Sequence, residues 1–341
     1  MEYRTLGRTG ISVSTYCLGT MMFGAWGQSD PDECAAMVRT ALDAGINFMD
    51  TADVYDDGVS EEILGRALRG GARDDVVLAT KFHNPMGDDP NQRGNSRRWI
   101  MRAVDDSLRR LGTDWIDLYQ VHRPDPTTEI DETLSALSDL VHQGKVRAIG
   151  TSTFPAEQIV EAQWVAERRG RERFRAEQPP YSILARGVES AVLPVCERYG
   201  LGVMVWAPLN GGWLSGKYAR GAPPPDGSRA AREPDHFDFN GPVHERKLGL
   251  VEQLTKLAAA AGVRLIDLAH GFVLAHRAVT SAIVGPRTGE QLREVLDGVD
   301  VRLSSDVLDE IDGIVPPGVN VNPNDAGWSA PELQQASLRR R

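Results

Sequence analysis

Two kinds of segment alternate along this sequence, and the alternation restricts the fold more than any other feature. Short apolar runs rich in β-branched residues are followed by amphipathic stretches of helical spacing, and the cycle repeats about eight times. The apolar runs are 16–21, 46–51, 76–81, 116–122, 146–152, 174–178, 203–209 and 281–285. Helical patterns between them include 32–44, 60–69, 97–111, 131–142, 156–169, 189–199 and 289–296.

The apolar runs are too continuous for strands with one face in water, so they indicate strands buried on both faces of a parallel sheet. Dividing 341 residues by eight gives about 43 residues per unit, which suits right-handed βαβ connections. Eight such units favour a closed barrel over an open, doubly wound sheet. The sequence therefore predicts an α/β protein with a (β/α)8 TIM barrel.

The remaining segments are placed around this barrel. The sequence predicts a β-hairpin over 2–14 that plugs one end of the barrel, the barrel itself over 16–300, and a tail without periodicity over 315–341. Long loops at 84–95 and 210–241 are expected at the C-terminal mouth, the second as a lid or a disordered segment. Nothing resembles a linker between domains, so we expect a single domain over 1–341.

Charge and composition exclude several classes of protein. The chain carries 38 Lys and Arg against 48 Asp and Glu, a net charge of −10, and no basic stretch interleaved with aromatic residues, so nucleic acid is not an expected partner. No apolar run approaches the ~18 residues of a membrane span, and residues 1–4 lack the basic start of a signal peptide, so neither feature is expected. The three cysteines, Cys17, Cys34 and Cys196, have no C-x-x-C spacing and indicate buried thiols in a reducing compartment. We expect a cytoplasmic protein without membrane contact.

Known ligand motifs mostly fail. The sequence of residues 211–218 is similar to a phosphate-binding P-loop, but Tyr218 occupies the position where Ser or Thr should hold magnesium. Lys217 therefore either binds a phosphate of some ligand or is merely exposed. A calcium loop counted from Asp53 fails at Tyr55 and Leu64. No Gly-x-Gly-x-x-Gly follows a strand, and no His-x-x-x-His pair occurs, so neither a Rossmann domain nor a metal site is expected.

Polar residues lie at the ends of consecutive predicted strands. Asp50 ends the second, with Tyr55 just beyond it, Lys81 ends the third, and His122 ends the fourth. Taken alone, each of these residues is more often a solvated or rim residue than a catalytic one. In a barrel, however, the carboxyl ends of the strands converge on one pocket, so the four side chains are expected to meet there.

This group of side chains suits the reduction of a carbonyl group. Hydride transfer to a carbonyl carbon creates an alkoxide that needs a proton, and a free tyrosine, with a pKa near ~10, is a weak acid for that purpose. A Lys81 cation beside Tyr55 is expected to lower the tyrosine pKa toward the working range. Asp50 would hold Lys81 in place, and His122 would orient the carbonyl oxygen.

Three segments carry a resemblance to the aldo-keto reductase superfamily, and it covers nearly the whole chain. Residues 48–55 resemble its Asp/Tyr signature, residues 117–125 its His signature, and residues 283–287 its phosphate-binding segment. The resemblance implies a TIM barrel, bound NADP(H) and a catalytic tetrad of Asp50, Tyr55, Lys81 and His122.

The same resemblance implies cofactor contacts. Ser152 and Gln178 match side chains that hold the nicotinamide carboxamide, and Trp206 matches the aromatic residue stacked on the nicotinamide. The Trp, together with Lys217 and 228–230, is similar to the branch that contains potassium-channel β subunits. The other cofactor positions implied by the resemblance are Gly19, Thr20, Met21, Gln28, Asp50, Thr153, Ala207, Pro208, Leu209, Asn210, Gly211 and Gly285.

The phosphate and adenine contacts follow from the same branch. Lys217 is implied to contact the pyrophosphate and Arg229 to lie in the lid over it. Arg287 and Gln291 would meet the 2′-phosphate, and Glu294 the adenine. Selectivity for NADP(H) over NAD(H) depends mainly on Arg287, since a 2′-phosphate favours a bidentate guanidinium.

Three positions depart from the family pattern. Thr153 stands where many members have Asn or Arg, Val295 replaces an Asn near the adenine, and Met21 replaces the Trp of the channel-subunit branch.

Two functions are compatible with these features. The first is an NADPH-dependent reductase that converts an aldehyde or ketone to an alcohol, with a proton from Tyr55. The second is a cofactor-binding, redox-sensing accessory subunit. His122 argues against this second function, because the channel subunits carry Asn at that position.

The expected partner is a small carbonyl substrate, and a homo-oligomer is possible. Tyr55, His122 and a set of apolar residues are expected to contact the substrate, although each apolar residue reads equally well as rim packing: Trp26, Phe82, Met86, Trp213 and Trp328.

Overall fold

The computed structural model describes residues 1–232, 237 and 241–340. Eight parallel strands form a closed barrel in the order β10-β3-β4-β5-β6-β7-β8-β9, which confirms the predicted (β/α)8 fold. These strands are β3 (Tyr16–Gly19), β4 (Phe48–Asp50), β5 (Val77–Phe82), β6 (Ile116–Val121), β7 (Val146–Ser152), β8 (Ala176–Gln178), β9 (Gly202–Val205) and β10 (Val279–Val284).

Helices follow the strands and surround the barrel. Those placed by the sequence pattern are α1 (Pro31–Asp43), α2 (Val59–Ala67), α3 (Arg97–Leu111), α4 (Ile130–His142), α5 (Ala156–Arg169), α6 (Val192–Tyr199) and α10 (Gly289–Leu296). The structure adds α7 (Arg229–Arg232), α8 (Pro242–Ala260), α9 (Leu265–Ala275), α11 (Ser305–Ile314), α12 (Pro331–Gln334) and α13 (Ala336–Arg339). Most predicted elements agree, but the run 203–209 leaves the sheet after Val205, since Ala207 takes a φ of 53°.

The N-terminal hairpin is present and closes the lower end of the barrel. Strands β1 (Tyr3–Thr5) and β2 (Ser12–Ser14) pair antiparallel. Leu6 and Val13 are fully buried in the apolar cluster inside the barrel. Gly7 has a φ of +55°, and a Cβ there would lie 2.5 Å from the backbone nitrogen of Gly202, which begins β9. Glycine therefore allows the hairpin to press against the amino ends of the strands.

The opposite, C-terminal mouth carries the longer connections. The predicted lid at 210–241 includes a 3-10 helix, Asn210–Ser215, and α7, while residues 233–236 and 238–240 lie outside the described residues. The tail returns to this mouth: Lys247 on α8 forms an ion pair with Asp325 at 2.7 Å and donates a hydrogen bond to Asn210, also at 2.7 Å. These contacts join the lid base, α8 and the tail.

The described part of the chain contains neither a single membrane-spanning helix nor a metal-binding cluster. No single helix there is both long and apolar enough to cross a bilayer, and only α8 and α9 together, bent by 91°, reach the required length and composition. Within the same residues, no group of three or more His, Cys, Asp or Glu side chains is arranged to hold a metal ion.

Candidate active site

A cavity of about 800 Å³ opens at the carboxyl ends of the barrel strands. Four strands each place a polar side chain in or beside it: Asp50 ends β4, Lys81 lies near the end of β5, Ser152 ends β7 and Gln178 ends β8. His122 follows β6 directly. The volume lies within the range usual for small-molecule sites, and the position is the one where parallel barrels carry their chemistry.

Lys81 is the centre of a buried polar network. Its side chain is fully buried, and its Nζ donates to Asp50 Oδ2 at 2.6 Å, to the carbonyl oxygen of Thr51 at 2.8 Å and to Tyr55 Oη at 3.1 Å. An ammonium has three N–H groups, so all of them are satisfied. The other Asp50 oxygen, Oδ1, accepts from Gln178 Nε2 at 2.9 Å and from Gln120 Nε2 at 3.2 Å. The network fixes both members of the ion pair.

The segment after Tyr55 has an unusual backbone. Asp56, Asp57 and Gly58 have φ values of 49°, 54° and 96°, three consecutive left-handed residues of which only one is glycine. The Asp56 carboxylate accepts a hydrogen bond from the Ala25 N–H at 2.8 Å. Because this conformation is costly for non-glycine residues, it marks a turn held in place by its surroundings. The Tyr55 ring, directly before this turn, lies against Lys81, whose Nζ is 4.8 Å from the ring centroid.

Burial and charge act in opposite directions on Tyr55 and Lys81. Burial raises the pKa of Tyr55 above its usual value of 10, and the nearby Lys81 ammonium only partly offsets this. The expectation that Lys81 brings the tyrosine pKa down toward neutrality is therefore wrong in its net direction. For Lys81, burial lowers the pKa, but Asp50 and Tyr55 together raise it above 10.5. At neutral pH the pair is a neutral phenol beside an ammonium.

His122 lines the cavity next to Tyr55. The two rings meet edge to face with centroids 5.9 Å apart. Burial, followed by the charges of Lys81 and Arg123, lowers the pKa of His122 well below 6.5, so the imidazole is neutral. Its Nδ1 lies 3.1 Å from Asn84 Nδ2. An amide nitrogen can only donate, so Nδ1 is the acceptor and Nε2 carries the proton. The ring can thus donate a hydrogen bond from Nε2.

The middle of the cavity offers an indole, an amide and a hydroxyl. Trp206 lines the cavity, and its Nε1 is buried without a hydrogen-bond partner among the described residues. Ser152 Oγ donates to the Gln178 carbonyl oxygen at 3.0 Å. The side chain of Gln178 turns its Nε2 toward Asp50, as described above. An aromatic face beside an amide and a hydroxyl suits a flat polar ring such as nicotinamide.

The far end of the cavity is rich in cations. Lys217 and Arg287 both line it, and within the described residues neither forms an ion pair with a carboxylate. Burial and then the charges of Arg287 and Arg232 lower the pKa of Lys217. Gln291 Oε1 accepts from the Arg287 N–H at 2.8 Å, and the Arg287 guanidinium donates to the Gly227 carbonyl oxygen of the lid. Crowded cations without counter-ions fit the phosphates of a dinucleotide.

Most sequence-predicted cofactor residues line this cavity, and their binding role stays a prediction. They are Gly19, Met21, Asp50, Ser152, Gln178, Trp206, Ala207, Pro208, Leu209, Gly211, Lys217, Arg229, Gly285, Arg287, Gln291 and Glu294. Val295, one of the departures from the family pattern, also lies in the wall.

Four predicted cofactor residues lie outside the cavity lining. Thr20 is fully buried and its hydroxyl contacts Ser60 Oγ at 2.9 Å. Gln28 accepts from the Asp30 N–H. The Asn210 side chain is bound to Lys247, as noted above. Thr153 has a left-handed backbone, φ 60°, and its hydroxyl accepts from Arg123. In each case the polar side-chain group is engaged by the protein itself.

The predicted substrate residues divide in the same way. Trp26 lines the cavity, 43% exposed, with its ring centroid 6.4 Å from that of Tyr55. Phe82 does not line the cavity, because successive residues of a strand face opposite sides of the sheet. Lys81 points into the barrel, while Phe82 points outward and packs on Tyr119, with the two ring centroids 4.9 Å apart.

Three further aromatic or apolar candidates also fall outside the described cavity wall. Met86 lines a separate cavity of about 200 Å³. Trp213 is buried and stacks on His244, and Trp328 belongs to the tail outside the lining.

Sequence reasoning missed several residues of the cavity wall. Asn84 and Arg123 flank the tetrad, and Met22, Val54 and Arg232 narrow the mouth. Arg123 directly follows His122 within the His signature, and Asn84 is three residues beyond Lys81, so their closeness to the tetrad was a usable signal. Arg232 donates to the Trp26 carbonyl oxygen. That contact joins segments 206 residues apart, which no local pattern shows.

A closed parallel barrel with a Tyr, a Lys, an Asp and a His at its carboxyl mouth defines a class of oxidoreductases. The profile of the aldo/keto reductase family matches residues 16–316, and the chain belongs to this family.

Several curated proteins are similar over most of their length. The uncharacterized oxidoreductase YrpG of Bacillus subtilis is 40% identical over 340 residues, covering 96% of this chain and 100% of the relative. A probable voltage-gated potassium channel subunit beta of Oryza sativa is 39% identical, with 92% and 97% covered. The aldo-keto reductase YhdN of B. subtilis is 35% identical, with 92% and 94% covered. The branch suggested by the sequence motifs is therefore confirmed.

Proposed function

We propose that this protein is an NADPH-dependent oxidoreductase that reduces the carbonyl group of an aldehyde or ketone to an alcohol. The observation that carries the proposal is the 3.1 Å contact between Tyr55 Oη and Lys81 Nζ at the wall of the cavity. A neutral phenol held by an ammonium is a proton donor whose conjugate base is stabilised where it forms. Membership of the aldo/keto reductase family supports the same class of reaction.

The residues of the site have separable tasks. NADPH, when bound, supplies the hydride for the carbonyl carbon. Tyr55 holds the proton at Oη and donates it to the oxygen that gains negative charge. Lys81 then lies beside the phenolate, and Asp50 keeps the ammonium charged and in position. His122 donates from Nε2 and orients the carbonyl oxygen, since its Nδ1 faces Asn84.

The preference for NADPH rests on the far end of the cavity. Arg287 and Lys217 lack carboxylate partners within the described residues and lie where a phosphate-rich ligand would end. A guanidinium binds a phosphate through two parallel hydrogen bonds, which rewards the 2′-phosphate that NADH lacks. Glu294 and Gln291 of α10 would then face the adenosine.

An accessory role is the competing function, because relatives of similar identity are named as channel β subunits. The complete tetrad favours catalysis, since His122 is present with its partner Asn84 and is not replaced by an amide. Binding of the cofactor alone would need Trp206, Lys217 and Arg287 but not this proton-donating group.

The test is a screen for NADPH oxidation, followed at 340 nm, over chemically diverse aldehydes, ketones and keto-sugars. Tyr55→Phe should abolish turnover, while quenching of tryptophan fluorescence by NADPH is retained. Tyr3→Phe is the matched control, because Tyr3 lies on the exposed hairpin far from the cavity. Absence of turnover with every substrate, or full activity of Tyr55→Phe, contradicts the proposal. Recovery of a stoichiometric membrane partner from an inactive enzyme would support the accessory role instead.

A further inference from the structure

Arg123 contributes a cationic side chain to the same wall as the tetrad. It follows His122 after β6, and its half-buried guanidinium lines the cavity with Tyr55 and Ser152. Nη1 donates to the carbonyl oxygen of His122 at 2.6 Å and to Thr153 Oγ1 at 3.2 Å, with Ser152 Oγ at 3.5 Å. All three acceptors are uncharged. One nitrogen of the guanidinium thus anchors the side chain.

Within the described part of the chain, Arg123 forms no ion pair, although the buried carboxyl of Glu177 is close enough to offset part of the lowering that burial imposes on its pKa. Other well-buried cations do form ion pairs: Arg110 pairs with Glu61 at 2.7 Å and Arg186 with Glu189 at 2.9 Å. Lys81 is paired with Asp50. Burying a guanidinium without a counter-ion is unfavourable, and burial accordingly lowers the pKa of Arg123. An anion supplied from outside the protein would remove this cost.

The unused edge of Arg123 faces accessible space. No hydrogen bond to a described residue leaves from Nε or Nη2, and neither atom is among the buried unpartnered atoms. These two nitrogens form the fork that binds the two oxygens of a carboxylate side by side. The neighbouring imidazole of His122 is neutral, so Arg123 supplies the positive charge on this wall, and its free edge matches the two oxygens of one carboxylate.

The position of this edge restricts the ligand. His122 and Arg123 are adjacent in sequence and line one wall, so the carbonyl oxygen and the anion belong to one small molecule. Trp26, Met22 and Val54 give the mouth an apolar side that suits a short carbon chain or ring. Lys217 and Arg287, at the far end, are occupied by cofactor phosphates under the proposed function.

We propose that Arg123 is a specificity-determining residue that binds a carboxylate of the substrate, so that aldehydes or ketones bearing a carboxylate are the preferred substrates. This inference rests on the proposed carbonyl reductase function. A phosphate-bearing carbonyl compound would share the oxyanion chemistry, but its near-double charge exceeds the single charge of Arg123.

The test compares substrates that differ in charge but little in size. 4-Carboxybenzaldehyde is set against its methyl ester, and succinic semialdehyde against butanal. We expect kcat/KM to be about 10-fold or more higher for each acid, mainly through a lower KM, and this advantage to shrink as salt is raised. Glyceraldehyde 3-phosphate serves as the phosphate arm, and a preference for it over both acids would overturn the assignment to carboxylates.

Variants separate binding of the carboxylate from a structural role. Arg123→Gln should reduce kcat/KM for the acids by about 10- to 100-fold more than for the ester and butanal. Because Arg123 also contacts Ser152 and Thr153, any change in NADPH affinity, from fluorescence quenching, should lower the values for all four substrates equally and leave this ratio unaffected. Arg123→Lys should retain part of the preference. Arg232→Gln removes the same charge at the mouth and should cause a much smaller loss.

The outcomes distinguish this inference from the proposed function. If the wild type reduces neither acids nor neutral compounds, the proposed function fails. If it reduces the ester and butanal as well as the acids, the inference alone is wrong, and this holds even if Arg123→Gln does not fold. Equal losses of kcat/KM for the acids in Arg123→Gln and Arg232→Gln would show that the acids respond to the total positive charge of the cavity mouth. That result would also overturn the inference about Arg123.

Discussion

Asp50 Oδ2 and Lys81 Nζ lie 2.6 Å apart although 31 residues separate them in sequence. Both side chains are buried, and the pair is the support on which Tyr55 rests. A buried ion pair is weak evidence of stabilisation, because desolvation offsets much of the attraction. The ion pair instead serves to position the Lys81 ammonium, which is held within hydrogen-bond distance of the phenolic oxygen of Tyr55.

Replacing Lys81 tests this support. Lys81→Met should lower kcat by about 10²- to 10⁴-fold, because the phenolate formed at Tyr55 loses its counter-charge. The variant should also unfold at lower denaturant, since a buried Asp50 without its partner costs about 3–5 kcal/mol. Steady-state kinetics and urea unfolding measure the two effects. If Lys81→Met kept wild-type kcat, Lys81 would have no role in the proton transfer.

The pH dependence of reduction follows from the two shifted groups. His122 has its pKa lowered well below 6.5 and stays neutral above that pH, and Tyr55 has its pKa raised above 10 and stays protonated. Reductive kcat/KM should therefore be flat between about pH 6.5 and pH 8.5. A step centred near pH 6.5 that disappears in His122→Asn would show a protonating histidine and contradict this structure.

Arg287 is expected to discriminate between the two nicotinamide cofactors. Arg287→Gln should weaken NADPH binding by about 10- to 100-fold, equivalent to about 1.4–2.8 kcal/mol, and leave NADH binding nearly unchanged. Fluorescence titration with each cofactor measures this. Arg293→Gln is the control on α10, the helix that follows Arg287, because Arg293 is exposed and lies outside the cavity lining. Equal losses for NADPH and NADH would show that Arg287 does not read the 2′-phosphate.

Glu177 makes stability depend on pH. Its carboxyl is fully buried, accepts from Thr151 Oγ1 and the Phe154 N–H, and burial raises its pKa from 4.5 to about 7. The folded state therefore binds this proton more tightly than the unfolded state. The stabilisation is complete below pH 4.5 and is lost as pH rises through about 7, in total about 3 kcal/mol.

Glu177→Gln should remove this part of the pH dependence, as measured by urea unfolding at pH 5 and pH 8. Glu167→Gln, at an exposed position of α5, should keep the wild-type dependence. The same pH dependence in both variants would mean that Glu177 is ionised in the folded protein throughout.

The barrel and the strand ends that carry Asp50, Lys81 and His122 could be predicted because the apolar runs are local features that recur along the chain. Continuous apolar runs indicate buried parallel strands, and the residue at the end of each run then lies at the mouth. Phe82 shows the limit of that rule: it follows Lys81 and yet faces outward, because strand side chains alternate. Thr20, another predicted cofactor residue, lies outside the cavity lining for a similar reason, because its hydroxyl contacts Ser60.

The protonation states could not be predicted. The sequence places a lysine and a tyrosine together and thereby favours a lowered tyrosine pKa, but burial outweighs that effect. Burial is a sum over the whole surroundings and has no local signature. The missing counter-ion of Arg123 is of the same kind, because it depends on every carboxylate in space and not on the neighbours in sequence.

By itself, the order of residues determined the (β/α)8 architecture and the polar side chains at or next to the ends of β4 to β8, since hydrophobic periodicity acts within a few residues. Only the tertiary structure decided which donor meets which acceptor. Gln178 reaches Asp50 across 128 residues of chain, and the cations Arg123, Lys217 and Arg287 of the cavity form no ion pair with any carboxylate of residues 1–232, 237 and 241–340. Hydrogen bonds and charges act over ångströms of space, and chain folding alone sets those distances.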